Sequence, residues 1–159
     1  VWPEISRTLL VMLMFIGACA GSTGGGMKVS RFIILFKAMK KEMHQYLHPR
    51  QVRKIQMDGK CVEHEVVRNV NVYVVAYCML FAGSMVFLAF DGLDLITNFT
   101  AVAATFNNIG PGLELVGPSA NFGIFSYPAK VILTFDMLAG RLEIFPLLLL
   151  FFRDTWRKF

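Results

Sequence analysis

Residues 69–90 run for 22 positions without a charged side chain. At about 1.5 Å per residue, a helix of that length crosses the roughly 30 Å hydrocarbon layer of a bilayer. This stretch constrains the fold more than any other, because lipid offers the backbone no hydrogen bonds and admits only structures that pair their own amides. The rest of the chain agrees with it. Of 159 residues, 55% are hydrophobic and 17% charged, against about 25% charged in a soluble domain. The sequence therefore predicts an all-α membrane protein and excludes a disordered chain.

A second block, residues 130–152, has similar length but holds Asp136, Arg141 and Glu143 inside it and Pro146 near its end. It is expected to span, with a kink at the proline. The first block, residues 9–20, has only 12 residues and runs into Gly21, Ser22, Thr23, Gly24, Gly25 and Gly26 before an apolar pattern resumes at residues 29–36. Six small residues in succession destroy a helix rather than thin one face of it, so this reads as a transmembrane helix broken at mid-membrane. Residues 95–113 carry no charge in 19 positions, yet Asn107, Asn108, Gly110, Pro111 and Gly112 interrupt them. A short helix over 95–105 followed by an extended return, a re-entrant loop, fits that spacing.

Charge sets the orientation. Ten of the 16 Lys and Arg residues lie between Lys28 and Arg68, and Arg153, Arg157 and Lys158 follow the last block. The positive-inside rule makes both regions, and the C-terminus, cytoplasmic. Residues 91–128 hold Asp91, Asp94 and Glu114 with no Lys or Arg, so the re-entrant loop opens outward. Within the basic connector, Asp58-Gly59 between Ile55, Met57 and Val62 predicts a small hairpin. The connector lacks the aromatic interleaving of a nucleic-acid surface, and topology already explains its charge. No charged n-region precedes the first apolar block, so a signal peptide is not expected.

Non-helical chain at membrane depth survives only where it is buried in protein or lines a wet cavity. In the segment Asn107, Asn108, Ile109, Gly110, Pro111, Gly112 an extended run can point successive carbonyls at an axis, and a ring of such oxygens replaces the water shell of a cation. The preceding helix would turn the negative end of its dipole inward. An ordinary extracellular turn is the competing reading.

Other motifs weigh less. Residues 21–26 with Met27 and Lys28 nearly match a phosphate-cradling P-loop, but Met27 occupies the lysine position and no strand precedes them. Cys19, Cys61 and Cys78 are far apart and read as packing residues. His44 and His48 share a helical spacing but read as solvated, and Asn98-Phe99-Thr100 fits a glycosylation acceptor on the outer side. Arg141 near mid-span needs acceptors, and the hydroxyls and carbonyls around Ser22 and Thr23 are the natural ones. A structural ion pair locking two helices is the alternative.

Three motifs now stand together: residues 17–28 (GACAGSTGGGMK), 107–113 (NNIGPGL) and 140–146 (GRLEIFP). In this order and spacing they resemble the Trk/Ktr/HKT potassium-transporter superfamily, most closely its bacterial Trk and Ktr membrane subunits. The resemblance implies a fold of four M1-pore-M2 repeats around one pore, of which this chain holds the C-terminal part. Residues 1–46 look like the broken M2 helix of the third repeat, with an intramembrane gating loop at 17–27. Residues 47–65 look like a cytoplasmic connector and 66–159 like the fourth M1-pore-M2 repeat.

The resemblance also assigns roles. Asn107, Asn108, Ile109, Gly110 and Pro111 would form a selectivity-filter strand, with potassium on the backbone carbonyls of Asn108, Ile109 and Gly110. Gly21, Ser22, Thr23, Gly24, Gly25 and Gly26 would form the gate, and Arg141 its latch. It implies a channel-like potassium uptake transporter of the cytoplasmic (inner) membrane, with K+ as the transported ion and no bound organic cofactor. The implied partners are the missing repeats, a cytosolic nucleotide-binding regulatory ring of the RCK type and a second copy in a homodimer. A scaffolding membrane subunit without an ion path and a nucleotide-binding membrane enzyme are the readings from other classes. The latter lacks a nucleophile-base pair beside Asp136, Arg141 and Glu143.

Overall fold

The structure is a computed structural model, and it describes residues 3–19, 21, 22, 24–49, 51, 55–57 and 59–142. Helix α1 (Glu4–Met14) starts after Pro3, with Glu4 in its first turn, where a carboxylate favours the helix dipole. The sequence pattern extends this helix to residue 20, but it stops at Met14. The reason is a competing pairing. The Gly17 amide donates to the Met27 carbonyl at 3.0 Å, and the Val29 amide donates to the Ala18 carbonyl at 3.2 Å. These two bonds close a loop whose described residues between 15 and 28 are non-helical, and a β-carbon on Gly17 would lie 2.7 Å from the Met27 oxygen. Helix α2 (Val29–Leu47) follows.

A small antiparallel pair comes next: β1 (Gln56–Met57) against β2 (Lys60–Cys61), with Gln56 opposite Cys61 and Met57 opposite Lys60. Gly59 sits in the turn at φ +75°; Asp58 lies outside the described residues. The Lys37 ammonium donates to the Gln56 carbonyl at 2.7 Å and fastens the hairpin to α2.

Helix α3 (His64–Ala89) has 26 residues, about 39 Å of helix. It is the one helix among the described residues long and apolar enough to cross a membrane. Its buried stripe, Val70, Tyr73, Tyr77, Ser84 and Leu88, follows helical spacing, while Val75, Met79, Val86 and Phe87 face outward. Helix α4 (Leu95–Phe106) is half that length and cannot cross. Asp94 caps it, its carboxylate accepting from the Thr97 amide at 3.0 Å. Nearly all of α4 from Thr97 onward is buried, held between α3 and α5 (Tyr127–Leu142). Two apolar clusters fill this seam. One joins Tyr73, Tyr77, Phe106 and Ala139 to Met27, and the other joins Leu88, Ala101, Val102, Val116, Phe125 and Leu133.

The remainder of the last apolar block, with Glu143, Pro146 and the C-terminal segment, lies outside the described residues. Asn98, the glycosylation candidate, is 3% exposed and its side-chain amide donates to the Leu93 carbonyl. An acceptor must be accessible, and this one is buried against its own helix start.

Candidate ion pathway

The chain leaves α4 by a defined turn. The Ile109 amide donates to the Ala104 carbonyl at 2.9 Å and the Asn108 amide to the Thr105 carbonyl at 3.1 Å, with Asn108 at φ +54°. This is a Schellman cap, with Asn in the left-handed position usually given to Gly. Asn107 adds to it, since both its main-chain and side-chain N–H groups donate to the Ala103 carbonyl. The Ala103, Ala104 and Thr105 carbonyls are thereby occupied.

Beyond the cap residues 109–113, the return strand, run back beside α4 without regular secondary structure. Gly110 adopts φ +109°, and nothing lies within 4 Å of where its β-carbon would be, so the demand for Gly here is conformational. Gly112 is needed for space, because a β-carbon there would lie 2.6 Å from Val116 Cγ2. The Leu113 amide donates to Thr100 Oγ1 at 3.0 Å and the Gly112 amide to the Val116 carbonyl at 2.8 Å. These bonds pin the return strand beside the middle of α4. Among the described residues, no N–H or O–H group is hydrogen-bonded to the main-chain carbonyls of Asn107, Asn108, Ile109 or Gly110.

The glycine-rich loop meets this segment directly. A β-carbon on Gly25 would lie 2.8 Å from the Asn108 side chain and 3.1 Å from the Asn107 carbonyl oxygen; one on Gly26 would lie 2.6 Å from Asn107 Oδ1. The Gly26 amide donates to the Gly140 carbonyl of α5 at 3.2 Å. Gly140 itself packs so tightly on the Phe106 carbonyl that a β-carbon would overlap it. The Asn108 side chain completes the junction by donating to the Met137 carbonyl at 3.1 Å. Three motifs far apart in sequence therefore share one set of backbone contacts.

The contact between loop and α5 is made by Gly140, the residue before Arg141. Arg141 is exposed and lines a cavity of roughly 440 Å³ with Thr105, Asn108, Ile109, Gly110 and Lys130. Among the described residues its guanidinium makes no hydrogen bond or ion pair. Ser22 Oγ accepts from the Gly24 amide at 3.2 Å, and Thr23 lies outside the described residues. Asp136 turns the other way: it is fully buried, and its Oδ1 accepts from Ser84 Oγ at 2.7 Å.

On the other flank, a groove of roughly 900 Å³ runs between α1 and the return strand, lined by Leu10, Leu13, Met14, Ile109 and Pro111. Arg7 and Glu114, which also line it, form an ion pair. Elsewhere, Asp91 accepts from the Ser126 hydroxyl at 2.6 Å and from the Ser126 amide at 2.9 Å. These bonds hold its carboxyl below the usual carboxylate range.

Sequence reasoning missed Tyr77, whose hydroxyl donates to Asn107 Oδ1 at 3.0 Å. The signal available was a tyrosine on the inward stripe of a charge-free helix, where its hydroxyl must find an acceptor.

The profile of a family described as "TrkH: Cation transport protein" matches residues 1–157. The chain belongs to the TrkH family. It is 44% identical over 157 residues to the Trk system potassium uptake protein TrkH of Vibrio parahaemolyticus and 41% identical to that of Escherichia coli strain K12. The alignment with each covers 99% of this chain and 32% of the relative. Against the crystal structure of the potassium transporter TrkH from Vibrio parahaemolyticus, the TM-score is 0.87 at 43% identity, covering 98% of this chain and 33% of that one. The chain thus spans about a third of the length of the TrkH proteins it matches, and those relatives are named as transporters rather than enzymes.

Proposed function

We propose that this chain is the C-terminal part of a channel-like potassium uptake transporter. It contributes one strand of the selectivity filter, residues 107–112, and the intramembrane gate beneath it, residues 17–27. One observation carries the reading. The carbonyls of Asn107, Asn108, Ile109 and Gly110 have no donor among the described residues, at the end of a short buried helix directly against a glycine loop.

The chemistry follows from that placement. A potassium ion entering from outside sheds water and takes carbonyl oxygens in exchange, those of Asn108, Ile109 and Gly110 on this strand. The C-terminal end of α4 adds a negative potential at the same point. Helices α3, α4 and α5 then act as the fourth M1-pore-M2 repeat, residues 66–159, and residues 1–46 as the broken M2 helix of the third. One strand cannot surround an ion, so the other three strands come from the rest of the transporter. Gly21, Ser22, Thr23, Gly24, Gly25 and Gly26 form a plug that withdraws on opening, and Arg141 restrains it from the cavity side.

The membrane is the cytoplasmic one, with the basic connector 47–65 and the C-terminus on the cytosolic face. A homodimer and a cytosolic RCK-type ring are the partners this reading carries, and nucleotide effects belong to that ring. Residues 21–26 follow a helix, α1, rather than the strand a P-loop requires.

Gly110→Ser in the complete transporter tests the reading through rubidium uptake and potassium-over-sodium discrimination. A side chain at φ +109° is strained, so discrimination should collapse. Unchanged flux together with unchanged discrimination would overturn the assignment.

A further inference from the structure

Asn107 is the C-cap of α4 and opens the segment that leads into the return strand, with φ −92° and ψ 1°. Its side chain is 5% exposed, and every polar atom of it is engaged. Nδ2 donates to the Ala103 carbonyl at 2.9 Å, and Oδ1 accepts from the Tyr77 hydroxyl at 3.0 Å. The same Oδ1 lies against Gly26, 2.6 Å from the point a β-carbon would take.

Tyr77 reaches this amide from α3 and is itself held. Phe106 meets its ring edge-on at 4.6 Å, and Phe81 stacks at 6.4 Å. The ring is 4% exposed and belongs to the same apolar cluster as Met27. A hydroxyl so placed has a fixed reach, and the aromatic wall leaves water little room to replace it as donor.

We infer that Tyr77 is a positioning residue for the return strand, and that the Asn107 amide carries the position of Gly25 and Gly26 to the first carbonyl of that strand. The inference rests on reading residues 107–112 as a filter strand. The route is short. With Nδ2 bound to the carbonyl four residues back, the Asn107 amide cannot turn without moving its own backbone. Removing the hydroxyl leaves Oδ1 a buried acceptor without a donor, which costs more than an absent bond between exposed groups. The amide then tilts. The Asn107 carbonyl, against which Gly25 packs, tilts with it. Loop displacement acts on the same amide from the opposite side, so gate position and filter geometry are read by one side chain.

The test compares potassium and sodium uptake by the complete transporter carrying Tyr77→Phe, with Gly110→Ser beside it. Tyr77→Phe removes one oxygen and keeps the ring. The potassium-to-sodium uptake ratio should fall on the order of tenfold, as expected when a buried acceptor loses its donor. That ratio does not depend on how much protein reaches the membrane. An unchanged ratio in Tyr77→Phe overturns the inference, whereas an unchanged ratio in Gly110→Ser overturns the filter reading beneath it. The double variant Tyr77→Phe/Asn107→Ala should discriminate no worse than Asn107→Ala alone. Fully additive losses would mean that Tyr77 does not act through Asn107, and would overturn it too.

Discussion

The Gly26 amide donates to the Gly140 carbonyl at 3.2 Å, joining the glycine-rich loop to the last described helix 114 positions later in the chain. Gly140 meanwhile bears on the Phe106 carbonyl at the end of α4. The three backbones meet at one point because neither glycine holds a side chain between them. In lipid, where a stray amide costs several kcal/mol, such a junction must satisfy itself internally.

Gly140→Ala is the sharpest test of that packing. Its β-carbon would overlap the Phe106 carbonyl, and both helices are fixed by their neighbours. Overpacking of this kind costs about 3 kcal/mol. The complete transporter in detergent should melt at a clearly lower temperature than the parent. An equal melting temperature would mean that α4 and α5 separate freely.

Gly26→Ala should act on conduction more than on stability. Gly26 sits at φ +77°, and the added carbon would press on Asn107 Oδ1. The left-handed conformation costs an Ala about 1–2 kcal/mol, so the loop has reason to leave its seat. Basal rubidium efflux is expected to rise several-fold. Wild-type efflux would show that the contact between loop and strand does not limit flow.

Most of the helical architecture was readable before any coordinates. Residues 69–90 demanded a spanning helix, and α3 contains all of them but Phe90, its C-cap, although it begins earlier, at His64, because the residues from His64 to Arg68 also accept helical geometry. Asn107 and Asn108 end α4, and Asn108 takes the left-handed conformation that its residue type tolerates. The break in the first helix was visible, but the apolar block 9–20 did not show where the helix stops. The loop bounds 17–27 came from the resemblance, and the pairing of Gly17 with Met27, ten positions on, shows why the helix stops at Met14. Long-range pairs of this sort leave no local periodicity. The Tyr77–Asn107 bond and the Gly140 contact were hidden for the same reason, and attention fell instead on the neighbouring charge of Arg141.

Arg141 lines the cavity beside Asn108, Ile109 and Gly110. Arg141→Ala in the complete transporter should raise basal conduction, whether the guanidinium restrains the loop or repels a cation directly. Arg141→Lys separates the two. A lysine keeps the charge but loses the planar fork of donors. Conduction that stays low in Arg141→Lys assigns the effect to charge; conduction that rises in both assigns it to the fork. No rise in either variant would remove Arg141 from the gate.

Ser84→Ala addresses the seam between α3 and α5. Ser84 Oγ donates to Asp136 Oδ1 at 2.7 Å, and Asp136 is fully buried with Oδ2 lacking a partner among the described residues. Without the serine the carboxyl has lost the one donor it has among the described residues. The expected cost is about 1–3 kcal/mol, seen as a lower melting temperature in detergent. Ser84→Thr, which keeps the hydroxyl, should recover most of it, and failure of that rescue would point to packing rather than to the hydrogen bond.

Asp91 and Ser126 give a pH dependence of definite sign. The Ser126 hydroxyl, and after it the Ser126 amide, lower the pKa of the Asp91 carboxyl. A folded value below the unfolded one, about 3.9, means that the contribution is present above that pH and lost as the pH falls through the folded value. Ser126→Ala removes the larger cause and leaves the amide. The variant should therefore melt below the parent at about pH 7, and the gap should narrow at a pH well below the unfolded value of about 3.9, where the parent's carboxyl protonates in turn. A gap of equal size at both values would mean that the serine acts only as a cap for α5, through its bond from the Ala129 amide, and that the Asp91 charge takes no part.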